Sequence, residues 1–289
     1  MEQRFDRAEE DLGNIVGLEH VNVLIPDQQL ATLFYVAGLG LTRDPYLMTT
    51  VTNMWINVGR SQFHLPTGKP QVLRGVVGIV VPDRAALLQR LAAVKKPLAG
   101  TSFAFHEHEN YVEAVSPWGN RIRCHAPAAR FGRINLGMPY VQFDVSPGTL
   151  DGIVKFYRRI LEVPARVATD DEGRHAVVGV GDRQDLIFRE SDAKPAPYDG
   201  HHIAIYVADF SGPHRRLLEK GLISEESDQH QYRFQDITDT ESGKVLFTIE
   251  HEVRSMRHPL YARPLVNRNP AQTNRDYVPG ADAWNWSMG

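Results

Sequence analysis

Along the first forty residues the apolar positions alternate with polar ones and then change their spacing. Val21, Val23 and Ile25 fall on every second residue, the period of a strand with one face on a packed layer. Ala31, Phe34 and Tyr35 then recur at three and four residues, which predicts an amphipathic helix laid back on that strand and ending at Gly38. The same succession returns a half-chain later. Val141, Phe143 and Val145 alternate, and Ile153, Phe156 and Tyr157 take the helical spacing up to the Glu162 region. Two further starts have the same form: Gly75 to Asp83 followed by a helix over Arg84 to Val94, and His201 to Asp209 followed by a helix over Ser211 to Gly221.

Anchored on the aspartate that ends the strand or on its equivalent, the four first strands begin at His20, Val76, Tyr140 and His202, separated by 56, 64 and 62 residues. A period of about sixty residues marks an internal repeat. After each helix come three short β-rich runs, broken by turn residues such as Asn53, Gly59, Pro117 to Gly119, Gly173, Gly179 to Gly181 and Ser242-Gly243. The order βαβββ, four times over, defines an α+β protein. The stretch Ala126 to Gly137, with Pro127, Gly132 and Gly137, is the natural joint, giving expected domains at 17–130 and 134–253. Residues 254–289, rich in Arg, Asn and Pro, sustain neither period. Trp284 and Trp286 argue that this tail is ordered by packing on the domains.

At 289 residues and 42% hydrophobic composition, the chain has ample material for two cores. Its formal net charge of -3, without a basic stripe carrying interleaved aromatics, argues against nucleic acid as a partner. No window approaches 18 uninterrupted apolar residues and the N-terminus lacks a signal-peptide core, so no membrane association and a cytoplasmic location are expected. Cys124 is the single cysteine, which excludes an intrachain disulfide and a thiolate cluster; any metal must rest on His, Asp and Glu.

His20-Val-Asn-Val-Leu-Ile-Pro-Asp27 with Phe34-Tyr35 and Gly38-Leu-Gly-Leu41, Ser116-Pro-Trp-Gly-Asn-Arg-Ile122, and His202-Ile-Ala-Ile-Tyr-Val-Ala-Asp209 resemble the vicinal-oxygen-chelate superfamily, the glyoxalase/extradiol dioxygenase fold, over roughly residues 17 to 253. The resemblance implies that βαβββ modules pair into half-barrel cups, each module offering one ligand position at the start of its first strand and one on its fourth. Carried over, those positions hold His20 and His64 in the first module, Val76 and Arg123 in the second, Tyr140 and about Ile187 in the third, and His202 and Glu250 in the fourth. Residues able to bind metal thus occupy only the outer modules. A single site then requires module 1 to pair with module 4 and module 2 with module 3; pairing in chain order would split the ligands into two poor half-sites.

The metal set implied by the resemblance is His20, His64, His202 and Glu250. Two imidazoles and a carboxylate, His20, His202 and Glu250, form the facial triad of non-haem Fe(II) oxygenases, which leaves positions for a chelating substrate and dioxygen. His64 is then a catalytic base on the substrate; as a fourth ligand it would instead give a glyoxalase-like lyase or isomerase using Ni, Zn, Mn or Co. Tyr206, four residues beyond His202 on the same face, is a candidate catalytic donor to substrate oxygen. Glu252 shares the face of Glu250, so a register step there stays open. His201 faces away and His106 and His108 read as solvent-facing. The expected activity is that of an iron-dependent extradiol-type dioxygenase on a small-molecule substrate. The lyase or isomerase and a metal-free binding protein are the alternatives, and monomer and homodimer are both compatible with the chain. The arginines of the tail, Arg254, Arg257 and Arg263, read as solvated surface, with closure over the cup as the alternative.

Overall fold

The computed structural model describes residues 5–45, 47 and 52–265. The Trp284 and Trp286 part of the expected tail lies outside the described residues. Module 1 comprises β1 (Ile15–Asn22), α1 (Gln28–Ala31) continued by wider turns over Thr32–Gly38, β2 (Thr42–Arg43), β3 (Asn53–Val58) and β4 (Ser61–Pro66). Module 2 comprises β5 (Gly75–Val80), α2 (Arg84–Val94), β6 (Ala104–Glu107), β7 (Val112–Val115) and β8 (Arg121–His125). Module 3 follows as β9 (Gly137–Val145), α3 (Leu150–Phe156) continued over Tyr157–Leu161, β10 (Ala165–Asp170), β11 (Gly173–Gly181) and β12 (Gln184–Glu190). Module 4 is β13 (His202–Val207), α4 (Ser211–Glu219), β14 (Ile223–Asp228), β15 (Gln231–Thr238) and β16 (Val245–Ser255). No helix among the described residues is long and apolar enough to cross a membrane.

The aspartates that mark the repeat are helix caps. Asp27 accepts from the backbone N–H groups of Gln29 and Leu30, Asp83 from Ala86 and Asp209 from Gly212, each satisfying donors that the first helical turn leaves open. At the other end Glu162 takes a left-handed φ of 56° and stops the third helix where the spacing changed.

Two eight-stranded sheets result, in the orders β14-β15-β16-β13-β1-β4-β3-β2 and β10-β11-β12-β9-β5-β8-β7-β6. The first joins modules 4 and 1 through the antiparallel pair β1 and β13; the second joins modules 3 and 2 through β5 and β9. This is the pairing inferred from where the ligand-capable residues fall. In each module the first and fourth strands run parallel and adjacent, which sets both ligand positions side by side on a cup floor. The helices pack on the outer faces, with Ile153, Phe156, Tyr157, Phe188 and Phe234 fully buried among one apolar cluster. Gln184 fastens the two sheets together: its amide oxygen accepts from Leu18 N–H at 3.0 Å and its amide nitrogen donates to Ser61 Oγ and the Met138 carbonyl, both at 3.0 Å.

One polar pair is sealed in the packing behind the first sheet. His251 Nδ1–H donates to the Ile249 carbonyl at 2.8 Å, and the Tyr157 hydroxyl donates to Nε2 at 2.6 Å, while the ring stacks on Phe234 at 4.3 Å. Every polar atom of neutral His251 is satisfied, and burial pushes its pKa down from 6.5 to about 3. A histidine depressed in this way contributes stability that is full above pH 6.5 and is lost as pH falls from there toward 3. Replacing the pair by apolar groups, Tyr157→Phe with His251→Leu, is expected to flatten the pH dependence of urea-unfolding stability over that window by up to about 1.4 kcal/mol per pH unit. An unchanged slope would show that His251 takes up no extra proton on unfolding.

Candidate metal centre

The ladder at the middle of the first sheet sets the site. His20 lies opposite Ala204 and Asn22 opposite His202, so a local twofold axis relates His20 to His202. Along the fourth strands His20 is level with Gln62 and Asn22 with His64, whereas His202 is level with Glu250 and Ala204 with Glu252. The axis therefore relates His64 to Glu252, and Gln62 to Glu250. The ligand nitrogens of His20, His64 and His202 lie within 4.8 Å of one another. Both carboxylates of β16 reach His202: Glu250 Oε1 is 3.4 Å from its Nδ1 and Glu252 Oε2 is 3.6 Å from its Nε2.

His20 is turned by a bulge. Leu18 pairs with Ile205 and His20 with Ala204, which leaves Glu19 as an extra residue in β1. Simple alternation would send Glu19 to the far side of the sheet; the bulge keeps it beside His20. Its carboxylate lies 2.5 Å from His20 Nδ1 and 2.7 Å from Arg254 Nη1, and the Tyr206 hydroxyl donates to it at 3.4 Å. A carboxylate only accepts, so Nδ1 carries the proton and Nε2 presents a lone pair to the cup. Burial opposes the charge on Glu19, but His20, Arg254 and His258 outweigh it and hold the carboxyl below the usual range. Loss of such an orienting partner typically lowers metal affinity 10–100-fold. Glu19→Gln is expected to fall in that range in a chelator-competition titration, and unchanged affinity would remove Glu19 from this role.

His64 is placed differently. Its ring stacks on Trp55 at 3.8 Å, with Asn22 at 2.7 Å from Nδ1 and Asn53 Oδ1 at 2.9 Å from Nε2. Burial, with His20, Arg254 and Arg233 nearby, pushes its pKa down to about 2; burial and the same neighbours hold His202 well below its ordinary value. Depression this deep suits a neutral ligand or hydrogen-bond acceptor better than a proton acceptor. Arg233 on β15 bridges the two carboxylates of β16, 2.5 Å from each, and Arg254 spans Glu252 and Glu19. Three carboxylates against two guanidiniums leave the lining one negative charge before any imidazole is counted.

The chemistry of this donor set fits a divalent ion. Nε2 of His20 and Nε2 of His202 are buried without a hydrogen-bond partner, which costs free energy unless something else takes up the lone pairs. His202 presents a neutral imidazole, a carboxylate stands 3.6 Å from its open nitrogen, and the lining is net negative.

The remaining candidates are placed as follows. Tyr206 is 5% exposed and points to Glu19 while its ring meets Tyr261 at 4.9 Å; burial pushes its hydroxyl up, leaving a neutral donor. His201 is fully buried on the other face, 2.6 Å from Asp199. His106 and His108 are exposed. Arg254, expected at the surface, is part of β16 and 6% exposed, and Arg263 pairs with buried Asp44 at 2.7 Å; only Arg257 stands in solvent. Glu19, Trp55 and Arg233 are marked neither by spacing nor by resemblance. Only the glutamate's place next to His20 offers a signal, and alternation argues against it.

No sequence-family profile and no curated protein sequence matches the chain. Solved structures do match it. Glyoxalase I from Zea mays is similar over 82% of this chain and 92% of its own at 14% identity, with a TM-score of 0.57. A point mutant of that enzyme is similar over 86% and 95% at 13% identity, with a TM-score of 0.56. A candidate dioxygenase from Bacillus subtilis is similar over 84% and 86% at 16% identity, with a TM-score of 0.54. With its two sheets of paired βαβββ modules, the chain has the vicinal-oxygen-chelate fold. A fold shared at such identities leaves the reaction to be argued from the site.

Proposed function

We propose that the protein is a metal-dependent enzyme whose first cup acts on a small substrate chelating through two neighbouring oxygens, and that its reaction is an Fe(II)-dependent extradiol-type oxygenation. The observation that carries this reading is the pair of buried, partnerless Nε2 atoms of His20 and His202 beside the carboxylates of β16. His20, His202 and Glu252 would hold the ion on one side, the facial arrangement that leaves coordination positions for substrate and dioxygen. When bound, iron supplies Lewis acidity and the redox capacity for dioxygen chemistry. The chain supplies the rest. Glu19 fixes the His20 tautomer, and His64 is held neutral against the Trp55 ring, its Nδ1 accepting from Asn22 and its Nε2–H donating to Asn53, at the cup's edge.

The twofold relation of His64 to Glu252 favours a second reading, in which all four residues ligate and the reaction is a lyase or isomerase step without dioxygen. Oxygen consumption separates the two. Protein loaded anaerobically with Fe(II) and offered catechols of varied substitution is expected to take up one dioxygen per ring opened. Turnover of a chelating substrate without oxygen uptake would overturn the oxygenase reading in favour of the second.

A further inference from the structure

The second sheet forms a cup of the same topology with different chemistry on its floor. Its ladder sets Val76 opposite Gln142 and Gly78 opposite Tyr140, with Gly78 level with Arg123 and Gln142 with Ile187. The positions of His20, His64, His202 and Glu252 are thus taken by Val76, Arg123, Tyr140 and Ile187, which cannot assemble a metal site. The cup nevertheless holds an open cavity of about 500 Å³. A Cβ at Gly78 would fall 2.2 Å from the Tyr140 ring, so glycine is what lets that ring lie on the floor.

Four arginines line the cavity, Arg123, Arg130, Arg183 and Arg189, and two of their guanidiniums, those of Arg189 and Arg123, are built in. Arg189, with a side chain 10% exposed, donates to the Gly173 carbonyl at 3.1 Å and to Gln142 at 3.3 Å. Arg123, 14% exposed, lies over the Tyr111 ring at 4.8 Å. Apart from Glu113, 4.0 Å from Arg123 Nε and shared with Arg121, their counter-ions come from a single turn, between β10 and β11. Asp170 takes Arg189 in a forked pair at 2.7 and 2.8 Å, and both oxygens of Glu172 lie 3.1 Å from Arg123 Nη1. The anions, unlike the cations, are wet: their side chains are 47% and 44% exposed. The wet carboxylates can return to water when displaced, whereas guanidiniums left unpaired would be costly, so the exchange that keeps them satisfied is for other carboxylates of equal charge.

We propose that the metal-free cup is a second binding site, for a small dicarboxylate, whose two carboxylates take the places of Asp170 and Glu172 on Arg189 and Arg123. The hairpin tip is then an internal competitor that swings out as the ligand enters. Two anionic groups are required because the turn brings two carboxylates, Asp170 on Arg189 and Glu172 against both Arg123 and Arg189, and both leave together when it swings; a monocarboxylate replaces only one of the two charges.

The test is calorimetric titration of the metal-free full chain with succinate and glutarate, with acetate as the single-charge control. It is independent of turnover and of metal content, so its failure leaves the first cup's reading untouched. The expected result is saturable binding of a dicarboxylate, tightened about tenfold or more in Asp170→Asn/Glu172→Gln, where the competitor is gone, and abolished in Arg123→Gln/Arg189→Gln. Absence of binding in the Asn/Gln variant up to tens of millimolar, binding that survives loss of both arginines, or acetate binding as well as the dicarboxylates would each overturn the proposal. Should the arginine variant fail to fold by circular dichroism, amide NMR shifts of the Asn/Gln variant decide. Changes confined to β8, β9, β12 and the turn between β10 and β11 support the site; changes elsewhere or none refute it.

Discussion

Glu252→Gln is expected to weaken divalent-metal binding by about 100-fold or more, beyond the 10–100-fold that loss of a ligand's supporting partner brings. Glu250→Gln is expected to lower affinity less than about tenfold. The two residues are neighbours on one face of β16, and a period of two cannot tell them apart. The ladder can. Glu252 is the position related by the local axis to His64, it is 3% exposed, and it stands 3.6 Å from the open Nε2 of His202. Glu250 faces Nδ1 and is only partly buried. Chelator-competition titrations of both variants give the comparison. If Glu250→Gln proves the more damaging, the carboxylate belongs two residues earlier.

Arg254→Met is expected to destabilise the metal-free protein by about 3–5 kcal/mol, the usual effect of stranding a buried charge. Arg254 lies between Glu19 and Glu252, and the three are 6%, 8% and 3% exposed. Its own burial works against its charge, but Glu19 and Glu252 more than offset this and hold the guanidinium above its ordinary range. Methionine keeps the bulk of the stem while removing the cation that spans both carboxylates. The loss should shrink as pH falls into the carboxylate range, because protonation relieves the stranded charges. Urea unfolding in the presence of a chelator measures both effects. A loss below about 1 kcal/mol at neutral pH would mean that Arg233 and His20 suffice for the cluster.

Much of this architecture was legible in the residues. The alternation of Val141, Phe143 and Val145 is that of strand β9, whereas its counterpart at Val21, Val23 and Ile25 begins at the end of β1 and runs past Asn22 to an isolated bridge of Ile25 with Thr67, all three side chains buried. The crossed pairing of modules followed from placing His20, His64 and His202 at the ligand positions of the resembled fold, which a single site can use only across one sheet. What stayed hidden depends on registers and partners. Glu19 reaches the cup through a bulge, an inserted residue that no periodicity announces. Trp55 and Arg233 act through cross-strand neighbours, His64 and the β16 carboxylates, whose alignment is fixed by turns between strands. Tyr206 sits on the expected strand, yet its hydroxyl is directed by Glu19, which alternation alone would place on the opposite face.

The most direct test is metal analysis of protein purified without a metal-affinity column, reconstituted anaerobically with Fe(II) and freed of excess, beside His20→Ala/His202→Ala treated alike. The account predicts about one equivalent of iron in the wild type, as a single facial set requires, and none in the variant. A wild type that retains no divalent metal, or a folded variant that retains it, would contradict a centre built on these two histidines.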